Sequence, residues 1–129
     1  MPRPLAVALG LAVALAPASA LACRCKARSL DEAALLADIV VSAKIVAAND
    51  LDLSRREFVL QILEAFKGRP EERLTVLSTS DCAFFAEPGE TYLMFIRDDL
   101  EFGLHTDICS GNLPMDDPLT SVAVDALRK

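Results

Sequence analysis

Four cysteines constrain this chain more than any other feature, and two of them, Cys23 and Cys25, stand one residue apart where a secretory leader would be cut. Ahead of them come one basic residue, Arg3, an apolar stretch from Leu5 to Ala16, Pro17, and small residues ending Ala20-Leu21-Ala22. A short charged start, an apolar run and an Ala-x-Ala site make residues 1–22 a secretory signal peptide. Cleavage after Ala22 gives Cys23 a free α-amine as the first mature residue. Ala18-Ser19-Ala20 is an equally good signal, and cleavage there leaves Leu21-Ala22 in front of it.

The apolar run of 12 residues is shorter than the ~18–20 needed to cross a bilayer, so no membrane span is expected. A lipoprotein is the lesser reading, because Leu21 stands one place late for that signal and acylating Cys23 leaves three cysteines, an odd number. The expected location is extracellular or periplasmic. There an even cysteine count implies two disulfides, for which three pairings exist. Joining Cys23 to Cys25 would close a very tight ring, so the two are expected to reach separately to Cys82 and Cys109. Each long loop closed in this way stabilises by roughly 4 kcal/mol.

The mature chain, residues 23–129, is long enough for one domain. The full sequence carries 13 Lys+Arg against 19 Asp+Glu, and only Arg3 among these lies in the leader, so the mature charge is −7. An acidic surface disfavours nucleic acid as a partner. The charge is uneven: Arg24, Lys26 and Arg28 make the mature start basic, whereas Asp98, Asp99, Glu101, Asp107, Asp116 and Asp117 make the later half acidic.

Ser29-Leu30-Asp31-Glu32 has the form of a capping box and predicts a short helix through Ala37. β-Branched residues predict a strand over Ile39–Val46, with a turn at Asn49-Asp50. Phe58, Leu60, Ile62 and Phe66 recur at even spacing and predict a long strand over Glu57–Phe66 with one buried face. Leu93 and Phe95 are expected opposite them. Leu74–Leu77, Thr91–Ile96 and Gly103–Thr106 read as further strands. Pro118 suits the first turn of a closing helix through Leu127. Five strands flanked by a short N-terminal helix and a C-terminal helix predict a mainly β fold, a small closed or partly closed barrel with an OB-like topology among the options.

The chemistry of an enzyme is not evident. His105 is the single histidine and is read as structural or surface-exposed. With both disulfides formed, no thiol remains to pair with it. Reduced Cys23 and Cys25 with His105 would offer a soft-metal site, the basis of a thiol redox or metal-carrier reading. Asp98-Asp99-Leu100-Glu101 lacks the ligand spacing of a calcium loop and reads as a solvated turn. Ser110-Gly111-Asn112 offers a turn without a nucleophile elbow.

Cys23-Arg24-Cys25, the stretch Ala37-Asp38-Ile39-Val40-Val41-Ser42-Ala43-Lys44-Ile45-Val46, Cys82-Ala83-Phe84-Phe85, Glu90-Thr91-Tyr92-Leu93 and Thr106-Asp107-Ile108-Cys109-Ser110 together resemble the netrin-like modules. The resemblance is greatest to the N-terminal domain of the tissue inhibitors of metalloproteinases, and it spans nearly the whole mature domain. It implies a five-stranded OB-like barrel with disulfides Cys23–Cys82 and Cys25–Cys109. It also implies an inhibitory edge of Cys23, Arg24, Cys25 and Lys26, in which the Cys23 amine and carbonyl chelate the catalytic zinc of a secreted metalloprotease. The domain itself would need no cofactor and would act as a monomer. A non-inhibitory protein-binding module on the same fold is the alternative. The chain departs from the family at Arg24, where the inhibitors carry a small residue, and at Lys26-Ala27, where they carry an apolar ridge. The family's third disulfide has no counterpart.

Overall fold

A side chain that caps its own helix starts the first element. In the computed structural model, which describes residues 24–79 and 82–129, Ser29 Oγ accepts from the Glu32 amide at 3.1 Å. The Glu32 carboxylate in turn accepts from the Ser29 amide at 3.4 Å. Together they form the capping box that starts α1 (Leu30–Leu36). The strands that follow are β1 (Ile39–Asp50), β2 (Arg55–Lys67), β3 (Arg73–Thr79), β4 (Thr91–Asp99), β5 (Gly103–Thr106) and the two-residue β6 (Leu113–Pro114), before α2 (Pro118–Arg128). The expected leader and Cys23 lie outside the described residues. Among the described residues no helix is long and apolar enough to cross a membrane.

The sheet order is β1-β2-β3-β5-β4, and β1 also pairs with β4, so five strands close on themselves. β3 and β5 run parallel, joining Leu77 to His105 and Ser78 to Thr106. The β1–β2, β1–β4, β2–β3 and β4–β5 pairs are antiparallel. This is the expected OB-like barrel, mixed through its single parallel pair. β6, which the sequence pattern does not predict, adds to β4 beside Tyr92 and Leu93.

The long β1–β2 hairpin differs from expectation at its tip. Asn49 and Asp50 still pair with Glu57 and Arg56, and the turn falls at residues 51–54. Asp52 makes that turn, accepting from the Ser54 amide at 2.9 Å and from Arg55 Nε at 2.7 Å. Those bonds, Ser54's first and then Arg55's, hold the Asp52 carboxyl below its ordinary range.

Apolar residues sort into two cores. Inside the barrel lie Val41, Ile45, Phe58, Leu60, Val76, Met94 and Ile96, all fully buried, with Ile62 packed against them. Between the barrel wall and the two helices lie Val40, Leu93 and Phe95, with Ala33 from α1 and Val124 from α2. Two expectations are corrected here. Phe66 packs on the helix side, because the β1–β2 register shifts twice as β2 passes Leu63 and Phe66, and such bulges re-aim the strand. Leu93 and Phe95 also face the helices, since β4 is buried on both faces and gives Met94 and Ile96 to the barrel. A continuous apolar run, rather than an alternating one, is the pattern of such a strand.

Asp117 caps α2, accepting from the Leu119 amide at 2.9 Å, with Pro118 in the first turn where its missing N–H costs nothing. At the other end Arg128 donates to both carboxylate oxygens of Glu64, at 3.0 and 2.7 Å, tying α2 to β2. The hydrogen bond from Arg128 holds the Glu64 carboxyl below its ordinary range. Stability from a lowered carboxyl is present above the unfolded-state value and is lost as pH falls through the folded one. Glu64→Gln should therefore lower stability slightly at neutral pH and leave it unchanged at acid pH, where Glu64 is protonated in either state, so that the acid limb flattens; urea titrations from neutral to acid pH will read this.

Candidate functional site

The segment ahead of α1 is held by its cysteine rather than by secondary structure. Residues 24–29 form no helix or strand and are exposed. Cys25 is bonded to Cys109 with a Cα–Cα distance of 5.1 Å, which matches the expected pairing. Arg28 adds a second attachment, Nη1 donating to the Cys109 carbonyl at 3.1 Å. Cys82 is disulfide-bonded as well. The expectation that its partner is Cys23 falls outside the described residues, as does the expected zinc-chelating role of Cys23. Arg24 and Lys26 flank the anchored Cys25 and are exposed.

The loop that receives this bond is itself cross-braced. Asp107 Oδ1 accepts from the Cys109 amide at 2.8 Å and from Ser110 Oγ at 3.1 Å. Asn112 reaches back into the barrel wall, its Oδ1 accepting from the Phe95 amide at 2.7 Å and its Nδ2 donating to Thr106 Oγ1 at 2.8 Å. Thr106, buried, donates its own hydroxyl hydrogen bond to the Phe95 carbonyl at 2.9 Å. Gly111 has φ +106°, and a Cβ there would come within 3.1 Å of Ala33 and close to the Phe95 ring. So Ser110-Gly111-Asn112 is a structural brace that fixes Cys109 against β4 and α1. Sequence reasoning missed it; the available signal was a glycine followed by an amide side chain immediately after a cysteine.

A second loop lies against the first. The Ile108 amide donates to the Cys82 carbonyl at 2.9 Å, so residues 82–86 run beside the Cys109 turn. Phe84 drops from this loop into the barrel, its ring centroid 5.8 Å from that of Phe58 and 5.1 Å, edge-on, from that of Tyr92. Its amide donates to the buried Ser78 hydroxyl. Phe85, next in sequence, turns outward and is 62% exposed. Beneath it the Arg56 guanidinium sits 5.6 Å from the centroids of both the Phe58 and Phe85 rings. A groove of about 410 Å³ opens here between the loop and the β1–β2 tip, lined by Leu53, Arg56, Ala83 and Phe85. Arg56 stands two places before the core Phe58 and so on the same face of the strand, but the expected strand begins at Glu57 and leaves it out.

The remaining candidates are spread apart. His105 contacts the β4–β5 turn: Nδ1 donates to the Gly103 carbonyl at 2.9 Å, Nε2 stands 3.5 Å from Asp99 Oδ2, and the ring meets Phe102 edge-on at 5.6 Å. Cys25 is spent in its disulfide, so it does not join His105 in a thiol or metal site. Among the described residues no three His, Cys, Asp or Glu side chains gather closely enough to hold a metal ion. Asp98 to Glu101 form a turn, with Asp99 Oδ1 accepting from the Glu101 and Phe102 amides at 3.0 and 2.7 Å. One end of the barrel thus carries an exposed basic segment, a disulfide fixed on a braced loop, and a second loop anchored by a buried phenylalanine. No protein-family model matches the chain, and no curated protein matches it.

Proposed function

We propose that the mature domain is a secreted inhibitor of zinc metalloendopeptidases, similar in action to the N-terminal domain of the tissue inhibitors of metalloproteinases. The observation that carries this reading is the Cys25–Cys109 bond, which fixes an otherwise unstructured, exposed segment on the end of a closed barrel. With cleavage after Ala22, the α-amine and carbonyl of Cys23 lie two residues from that anchor and take the open position of the protease zinc. A catalytic zinc keeps one such position for water, and a terminal amine, with a pKa near ~7.7–8, offers its lone pair readily. A segment already held by a covalent bond loses less conformational freedom on binding.

Arg24 then enters the specificity pocket of the protease, with Lys26 at its rim. A guanidinium buried without a partner is costly, so the target is an enzyme whose pocket has a carboxylate at its base. The test compares the native domain with a form carrying one added Ala before Cys23, against a panel of secreted zinc proteases. The extension converts the amine to an amide, which does not coordinate zinc in the same way, and leaves the barrel intact. Inhibition by the native form alone is the expected result, and Arg24→Thr should move it toward enzymes with apolar pockets. Equal inhibition by both forms rules out chelation by the amine. If neither inhibits, the domain is a non-inhibitory extracellular binding module on the same fold.

A further inference from the structure

We propose that the β4–β5 turn is a pH-sensitive element whose order is set by the charge of His105. A carbonyl oxygen only accepts, so the ring nitrogen at 2.9 Å from the Gly103 oxygen, Nδ1, carries a hydrogen. In the neutral ring that leaves Nε2 without a hydrogen, with the Asp99 carboxylate 3.5 Å away. Two acceptors then face each other. In the imidazolium both nitrogens are donors, and the same geometry serves both the carbonyl and the carboxylate. Histidine is the side chain whose charge ordinarily changes between about pH 5 and 8.

What this pair controls is local. The other oxygen of Asp99 accepts from the Glu101 and Phe102 amides and so shapes the turn, which closes at Gly103 with φ +65°. Phe102 packs edge-on against the His105 ring. One carboxylate therefore connects the charge on His105 to the backbone of residues 99–103. At the apex Leu100 is fully exposed, and Phe102 is partly so. Protonation fixes these two apolar side chains in place; deprotonation removes one tie and frees them.

The other groups facing the ring are few. Arg97 stands opposite His105 on β4, and Asp99 lies beside Nε2. On the β3 side the neighbour is the apolar Leu77, and Glu57 lies one strand further along the same row. From the turn itself the charged residue beyond Asp99 is Glu101.

The single histidine of the sequence makes the test direct. Ring ¹⁵N shifts should show Nδ1 protonated at pH 8 and both nitrogens protonated at pH 5. Exchange protection of the Glu101 and Phe102 amides, corrected for intrinsic rates, should be about two- to fivefold higher at pH 5, the size of an exposed ion pair. Asp99→Asn keeps an oxygen for the two amides but no charge, and should abolish that difference, as should His105→Gln. Ring shifts showing Nε2–H as the neutral form would overturn the proposal even if neither variant folds. So would protection that does not change with pH, or a pH effect that survives in Asp99→Asn.

Discussion

Phe58→Ala should lower the stability of this domain by about 3–5 kcal/mol, the usual cost of removing a buried phenylalanine. The ring is fully buried in the barrel core, packs against Phe84 and supports the Arg56 guanidinium. Its neighbours come from β1 and β3, where Ala48 and Val76 are its register partners, so the cavity opens between three strands held by closure of the barrel. Such a site collapses poorly. A domain of this size has only about 5–15 kcal/mol to lose, and its melting temperature should fall by on the order of 15–25 °C. Leu63→Ala on the same strand is the control, since Leu63 is 55% exposed at a register shift; surface changes usually stay within about 0.5 kcal/mol. Comparable melting temperatures for the two variants would mean that β2 is wrongly placed.

That prediction rests on the part of the molecule most legible in the sequence. Local signals identified the elements: a capping box at Ser29, alternation through Phe58 and Leu60, Pro118 ahead of α2. These depend on bonds and packing within a few residues. What the sequence did not yield is how strands share two cores. Phe66 continues the even spacing of Phe58, Leu60 and Ile62 but packs under the helices, because the one-residue register shift at Leu63 intervenes and reverses the alternation. A bulge is a relation between two strands and leaves little trace in either alone. Leu93 and Phe95 show the same limit, for alternation cannot assign a face to a strand buried on both.

At the edge that carries Cys25 the balance differs. Cys25 and Cys109 were readable as partners only through the family resemblance, since counting cysteines left the pairings open. The braces of that bond, Asn112 on the Phe95 amide and Asp107 on the Cys109 amide, connect residues two to seventeen apart through side chains, and no periodicity reports them. Arg56 is hidden for a related reason. Its place between two rings depends on the residue 82–86 loop returning across the barrel end, a contact made between distant parts of the chain.

Removing the disulfide with Cys25→Ala and Cys109→Ala together should cost about 2–5 kcal/mol and release the N-terminal segment. The bond spans 84 residues, and the loss of unfolded-chain entropy for a loop of that length corresponds to roughly 4.5 kcal/mol in the chain-entropy treatment. The double change leaves no new thiol to exchange with the disulfide at Cys82. The barrel keeps its core, because Val41, Phe58, Leu60 and Val76 pack within one cluster on paired strands, whereas Cys25 and Cys109 lie in neither strand nor helix. The segment does not keep its place: residues 24–29 have no strand or helix to hold them, and the single hydrogen bond from Arg28 to the Cys109 carbonyl is an exposed one. Backbone ¹⁵N order parameters should therefore fall at Lys26 to Arg28 while the order of exchange protection among barrel amides is unchanged, with the melting transition shifted down as one step. A domain whose melting temperature is unaffected, or whose order parameters at Lys26 to Arg28 stay as before, would show that the braced loop and not the disulfide positions this edge.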